Sequence, residues 1–352
     1  MTDSLGMLFP KLAARLPKSS IADLPTPLKE YSLDGHASLP PLLVKHDDLT
    51  NKLYGGNKVR KLEYILQRAK DRDARRVATF GTVASNHALA TALFATAHDL
   101  ECTCLLSHQS KTPKAPLALN MHLRNHTEIV RFGGARPSRV SSMRKYLQNR
   151  RTWVIPMGGS SWLGVVGFVN AALELAVQLQ EANIDTPARV YVANGTMGTA
   201  AGLALGFALA NLETEVHAVR VTHEFVSNPE AMQRLIAKTA TMLRRLDPSV
   251  PENAAARSKV IYRDAFFGDG YARSNAATDN AIAVAARDWQ LTLDTTYSGK
   301  AMAALLHDVA KEDLEEKRVL FWNTFNSRVL PVSAAQPQDV SALPAEFLRY
   351  YV

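Results

Sequence analysis

One beat recurs along most of this chain: a short apolar run, a turn rich in glycine or small polar residues, then apolar positions at helical spacing. Residues 77–80 predict a strand, 81–86 a turn and 87–98 a helix. Further strands are expected at 42–45, 101–106, 128–132, 153–155, 189–193, 215–221, 259–262, 291–293 and 319–322. Helices are expected over 58–70, 138–149, 199–210, 276–289 and 299–311, with a long one ending near 181. Residues 1–24 read as an irregular arm, and the prolines at 25 and 27 keep 24–28 extended. The tail after 329 is spotted with proline and is expected on the surface. Regular strand–helix alternation predicts an α/β fold with parallel sheets, whose ligands sit where strands run out into loops.

Composition narrows the class. At 352 residues the chain is longer than one compact core usually holds, so two domains are expected. Hydrophobic residues make up 47% and charged residues 21%, ordinary for a globular protein. No uninterrupted apolar run reaches membrane-spanning length, and residues 1–10 lack the apolar stretch of a signal peptide. The net charge of +8 is scattered in small clusters, so neither nucleic acid nor a membrane is expected as a partner. Cys102 and Cys104 lie two apart on one predicted strand, a spacing unsuited to a disulfide or a zinc site. They read as buried apolar residues of a cytoplasmic protein, and no metal is expected.

The densest candidate chemistry is Tyr54-Gly55-Gly56-Asn57-Lys58-Val59-Arg60-Lys61-Leu62-Glu63. Two glycines and an asparagine precede a lysine that opens a helix, with Asn57 as the expected N-cap. A cation at a helix N-terminus is disfavoured, which lowers the lysine pKa and suits an amine that must act neutral, as in Schiff-base chemistry. Lys61, one turn on, lies on the same face.

Two loops follow strands and open helices. Gly81-Thr82-Val83-Ala84-Ser85-Asn86-His87 offers side-chain donors beside backbone N–H groups that favour anions. Asn194-Gly195-Thr196-Met197-Gly198-Thr199 lets backbone N–H groups and threonine hydroxyls approach a phosphate, although it is neither a Walker loop nor G-x-G-x-x-G. Two tyrosine blocks, Phe267-Gly268-Asp269-Gly270-Tyr271 and Asp294-Thr295-Thr296-Tyr297-Ser298-Gly299-Lys300-Ala301-Met302, come later. A phenol near an amine can serve as acid or base once its pKa is lowered.

These blocks, with Leu43 to Thr50 before the lysine, resemble the pyridoxal 5'-phosphate (PLP) enzymes of the 1-aminocyclopropane-1-carboxylate deaminase and D-cysteine desulfhydrase family. The resemblance spans about residues 24–324. It implies a tryptophan-synthase-β-like α/β fold (fold type II), with the cofactor in the cleft between two open parallel-sheet domains. The large PLP-binding domain would take 1–59 and 166–352, and a small inserted domain 60–165. A homodimer is implied as well.

Residue by residue, the resemblance gives Lys58, after Gly55-Gly56-Asn57, the covalent link to PLP, and the helix-face spacing places Lys61 to help neutralise the phosphate, with Asn57 also expected at the cofactor. Ser85, Asn86 and His87 match a Ser-Asn-His segment that meets substrate, the asparagine also supporting the cofactor ring. Asn194, Gly195, Thr196, Met197, Gly198 and Thr199 match the phosphate cradle. Tyr271 and Tyr297 face substrate and cofactor, and Ser298 and Thr324 adjoin the cofactor ring. Departures stand at Leu89 and Ala90, where the desulfhydrase pattern has Arg-Gln, and at Ala272 for a glycine. The sharpest is Phe325-Asn326 in place of Gly-Gly, which is expected to change the backbone or crowd the pocket.

The resemblance therefore implies a PLP-dependent lyase or deaminase of a small amino acid. In the family the cyclopropane deaminases carry glutamate where Ser298 stands and leucine where Thr324 stands. Both residues favour D-cysteine-type β-elimination, giving 2-oxo acid, ammonia and hydrogen sulfide, over cyclopropane deamination or racemisation. A PLP-binding protein without activity is the alternative from another class.

Overall fold

The computed structural model describes residues 4–33, 40–133, 143, 144, 146, 148–311, 314, 317–328 and 339–351. Among them the strands are β1 (Leu28–Tyr31), β2 (Leu42–His46), β3 (Arg76–Thr82), β4 (Glu101–Ser107), β5 (Glu128–Arg131), β6 (Thr152–Ile155), β7 (Arg189–Asn194), β8 (Glu215–Arg220), β9 (Val260–Arg263) and β10 (Val319–Asn323). The chain divides into two compact units. The first takes Met1–Pro17, Ala22–Lys61 and Ser160–Ser327; the second takes Lys18–Ile21, Leu62–Gly159 and Arg328–Val352.

The first unit holds a sheet in the order β1-β2-β10-β7-β8-β9. All pairs are parallel except β1 with β2. Strands β2 and β10 are buried throughout, which explains why Leu42-Leu43-Val44 and Val319 to Trp322 read as unbroken apolar runs rather than alternating ones. The order places β10, last in the chain, between β2 and β7. The C-terminal ends of these three parallel strands are therefore neighbours, and they lead into the lysine loop, the Thr324 loop and the 194–199 loop. Topology alone brings together segments far apart in sequence.

Behind this sheet lies the helix Trp162–Ala182, capped by the Ser161 side chain accepting from Gly164 N–H and closed by Asn183 in the left-handed region. By length and composition it could cross a membrane, yet 78% of its most apolar stretch is buried inside the protein. It is a core helix, apolar all round because protein covers it. The helix Gly198–Leu209 packs on it closely enough that a Cβ at Gly202 would come within 2.4 Å of Phe168 Cβ.

The second unit holds a parallel sheet in the order β5-β4-β3-β6. Cys102 and Cys104 sit on β4 as buried free thiols, their sulfurs 3.8 Å apart. Strand β3 runs out toward Ser85, which caps the helix Asn86–Thr96 by accepting from Ala88 N–H at 3.2 Å.

Several expectations change. The N-terminal arm contains two short helices, Ser4–Leu8 and Pro10–Arg15. Residues 291–293 are not a strand: Gln290 turns left-handed to end its helix, and Leu291 and Leu293 are buried as loop residues. Their apolar spacing reports burial, not pairing. The helix expected over 138–149 and the tail from 329 to 338 lie largely outside the described residues. The large domain was expected to keep 166–352, but the chain from Arg328 groups with the second unit. There the buried Phe347 and Tyr350 pack on His108, and Tyr350 hydroxyl donates to Gln109 carbonyl at 3.0 Å.

Candidate active site

The lysine loop is held through its backbone. Gly56 N–H donates to Asp47 carbonyl at 2.8 Å, and Asn57 N–H to Thr324 carbonyl at 3.2 Å. Thr50 hydroxyl closes the loop on Gly56 carbonyl at 2.9 Å. These bonds deliver Lys58 as the first residue of the helix Lys58–Lys70. Asn57 does not act as the expected N-cap. Its side-chain oxygen accepts from Lys58 Nζ at 2.8 Å and its amide donates to Thr199 hydroxyl at 2.9 Å, so it bridges the lysine to the 194–199 loop.

Beneath the helix start lies a charged network. Arg60 is buried and donates to both oxygens of Asp47, at 2.9 and 3.0 Å from Nε, and to Glu174 at 2.9 and 3.0 Å. Lys45 Nζ donates to Glu174 at 2.5 Å, and Trp322 Nε1 to Asp47 at 2.8 Å. Burial pushes the Lys45 amine down to about 8, although Glu174 draws it upward. Burial pushes Glu174 up, but Arg60 and Lys45 outweigh it and hold the carboxyl at about 2. Matched charges with full hydrogen bonding make such burial tolerable and fix the geometry of the strand end and helix start.

The 194–199 loop meets Lys61. Met197 sits in the left-handed region at φ 67, immediately before the helix Gly198–Leu209. Ser160 hydroxyl lies 2.7 Å from Thr196 hydroxyl and accepts from Gly198 N–H at 3.3 Å; Lys61 Nζ donates to it at 3.4 Å. A Cβ at Gly198 would lie 2.6 Å from Ser160 Oγ and 2.8 Å from Lys61 Nζ, so a side chain there would collide with both. Burial drives the Lys61 amine well below its ordinary value, and the Lys58 charge adds to the effect. An amine, two hydroxyls and a helix-terminal N–H grouped this closely are a donor set for a phosphate group. A Cβ at Gly195 would rest 3.7 Å from Tyr297 Cε1, so the second tyrosine borders the same loop.

A family model for pyridoxal-phosphate-dependent enzymes matches residues 20–324. The chain belongs to that family. It is 31% identical over 320 residues to the D-cysteine desulfhydrase of Serratia proteamaculans (strain 568), covering 88% of this chain and 94% of that protein. Among solved structures it is similar to one described as an ACC deaminase homologue, with TM-score 0.76, 25% identity, and coverage of 93% of this chain and 96% of that one. A fungal L-serine ammonia-lyase from Rhizomucor miehei, TM-score 0.61 at 18% identity over 89% of this chain and 98% of that one, shares the fold. This PLP enzyme thus has the tryptophan-synthase-β-like fold, and its cofactor is PLP. It is an enzyme of the lyase and deaminase kind, and its substrate is a small amino acid.

The residues present fit the cofactor. Lys61, Ser160, Thr196 and the Gly198 N–H suit its phosphate, and Lys58 stands one helical turn before Lys61. Thr199 is engaged through Asn57. Asn194 is buried, its amide donating to Ser227 hydroxyl at 3.1 Å while its side-chain oxygen has no partner within the protein. Tyr271 and Tyr297 hydroxyls lie 2.5 Å apart. Burial, then Tyr271, hold the Tyr297 phenol well above its ordinary value. Ser298 is buried; its hydroxyl donates to Asp294 carboxylate at 2.7 Å and accepts from Asp294 N–H at 2.8 Å. Thr324 contributes its carbonyl to Asn57.

In the second unit Ser85 and Asn86 open a helix, and Lys114 donates to Asn86. His87 is buried, with Nε2 paired to Thr79 hydroxyl at 2.8 Å. That pair ties the helix start to the strand beneath the loop. Reasoning from sequence missed Ser160, whose signal was the Pro156 to Ser161 break in the strand–helix beat. It also missed the Lys45–Glu174–Arg60–Asp47 network, whose partners stand up to 129 residues apart.

Proposed function

We propose that this enzyme eliminates a leaving group from Cβ of D-cysteine or a close analogue, consuming a water and releasing 2-oxo acid, ammonia and hydrogen sulfide. The observation that carries this reading is Ser298. A serine whose hydroxyl is engaged by Asp294 brings no charge of its own beside Tyr297. A carboxylate there would strengthen the cofactor as an electron sink, as opening an unactivated cyclopropane requires, whereas expelling a thiolate requires less. The 31% identity to a D-cysteine desulfhydrase supports the same substrate.

Bound PLP supplies the electron sink for the negative charge left at Cα. Lys58 would hold the cofactor covalently through its side-chain amine, and the same amine would take the Cα proton of the substrate. Asn57 orients the Lys58 amine through its side-chain oxygen. Tyr297, kept protonated, is a hydrogen-bond donor to substrate or leaving group, and Tyr271 holds its hydroxyl in place. Lys61, Ser160, Thr196, Gly198 and Thr199 are assigned to the phosphate side. Ser85 keeps the role of meeting the substrate carboxylate and Asn86 that of supporting the cofactor ring. We assign cofactor binding to the unit that carries Lys58 and the 194–199 loop.

A cytoplasmic homodimer is the setting we propose, supported by the buried free thiols and by analogy with such enzymes. Sedimentation of the purified protein tests the dimer.

The reaction is tested by measuring 2-oxo acid release from D-cysteine, L-cysteine, serine and 1-aminocyclopropane-1-carboxylate. Turnover of D-cysteine without turnover of the cyclopropane is expected, with Ser298→Glu as the comparison enzyme. Robust cyclopropane deamination by the wild type would overturn the reading.

A further inference from the structure

Three consecutive N–H groups of the lysine loop are taken by three different acceptors. Gly56 uses Asp47 carbonyl and Asn57 uses Thr324 carbonyl. Gly55 uses a side chain: its N–H donates to Asn326 Oδ1 at 2.7 Å. This is the asparagine that stands where the family resemblance expects the second glycine of a pair.

The contact is built rather than incidental. Gly55 and Asn326 are both buried, so water does not freely replace the bond. A Cβ at Gly55 would lie 1.9 Å from Asp48 carbonyl oxygen and 3.3 Å from Asn326 Oδ1, which wedges the glycine between the two. Neither Phe325 nor Asn326 has positive φ, so the backbone here does not need glycine. Phe325 N–H turns back to Asn323 Oδ1 at 3.3 Å, and the same loop offers Thr324 carbonyl to Asn57. The expected cost of losing two glycines is therefore not a distorted backbone. Asn326 is directed at the loop that carries Lys58.

We propose that Asn326 is a positioning residue for Lys58: through the Gly55 N–H it fixes the lysine loop and so sets cofactor affinity and the protonation behaviour of the Lys58-bound cofactor. A buried N–H left without its acceptor loosens the loop or must find a new partner. Lys58, two peptide links beyond Asn57's neighbour Gly56, inherits that displacement. The inference rests on Lys58 being the residue that carries PLP.

The test compares wild type, Asn326→Gly and Asn326→Asp, all without substrate. Two quantities are read: the PLP dissociation constant by equilibrium dialysis, and the pH midpoint of the visible band of the bound cofactor. Asn326→Gly should bind PLP about tenfold more weakly and shift the midpoint, with an unchanged far-ultraviolet spectrum. Asn326→Asp keeps an acceptor at the same reach and should hold PLP within about twofold of wild type. Wild-type affinity and midpoint in Asn326→Gly would overturn the inference. If Asn326→Gly does not fold, Asn326→Asp decides: retained affinity supports the acceptor role, and a loss of tenfold or more contradicts it. Should the wild type itself show no Lys58-bound band, it is the assignment of Lys58 that fails, a result distinct from these.

Discussion

Tyr271 and Tyr297 share a 2.5 Å hydrogen bond between hydroxyls, at the meeting of two loops that are 26 residues apart. Burial and this neighbour hold the Tyr297 phenol above its ordinary value. The phenol is then protonated at neutral pH, as the donor role proposed for Tyr297 requires. Tyr297→Phe is expected to lower kcat by about 10²–10⁴, the usual range for a lost acid–base group. The ultraviolet phenolate titration, taken as wild type minus Tyr297→Phe, should show no ionisation below the ordinary tyrosine value of about 10. A phenolate appearing near neutrality in that difference would contradict the donor role.

Lys61 gives a second handle. Its amine is pushed well below the ordinary value by burial and by Lys58, so a bound dianion should draw a proton onto it. Binding of inorganic phosphate to cofactor-free protein is expected to be accompanied by proton uptake at alkaline pH. Calorimetry in buffers of different ionisation heat measures this. Lys61→Met should abolish the uptake, and Gly198→Val should abolish phosphate binding by displacing Ser160 and Lys61. Uptake unchanged in Lys61→Met would place the phosphate elsewhere.

The buried network makes a stability prediction. Glu174 is held at about 2 in the folded protein, below the unfolded value of about 4.3. Its contribution is whole above that unfolded value and is lost as pH falls through the folded one. Glu174→Gln leaves Lys45 and Arg60 facing Asp47 alone, an expected loss of about 3–5 kcal/mol near neutral pH. Urea unfolding should show the gap between wild type and variant narrowing as pH falls from about 5 to about 3. A gap independent of pH would contradict the assigned charges.

Ala272, beside Tyr271, sits at φ 58, where a side chain is strained. Glycine would relieve about 1–2 kcal/mol of that strain while adding about 0.4–1 kcal/mol of unfolded-chain entropy. Ala272→Gly is expected to raise stability by about 0.5–1 kcal/mol in thermal unfolding. A destabilised variant would show that the alanine methyl makes contacts worth more than the strain.

The strand–helix beat was legible because buried parallel strands carry short apolar runs, Leu42-Leu43-Val44 in one and Val319 to Trp322 in another. The lysine, cradle and tyrosine blocks were legible because their chemistry is concentrated in short runs. Strand β1 was not, since Leu28–Tyr31 is half exposed and pairs only at a sheet edge. Ser160 and Asn326 were not, because each acts on a loop brought to it by strand order rather than by sequence spacing. Asn57 was legible as a polar residue before a helix, but its choice of Lys58 and Thr199 over a first-turn N–H depends on packing. Nor did spacing reveal that burial would raise the Tyr297 phenol.

The assignment of Lys58 is tested most directly by borohydride reduction of the purified holoenzyme, followed by peptide mass spectrometry. The expected result is a reduced pyridoxyl group on the peptide containing Lys58, specifically on that side chain, and its disappearance together with the visible band in Lys58→Ala. A label on Lys61 or Lys300, or an unchanged band in Lys58→Ala, would contradict it.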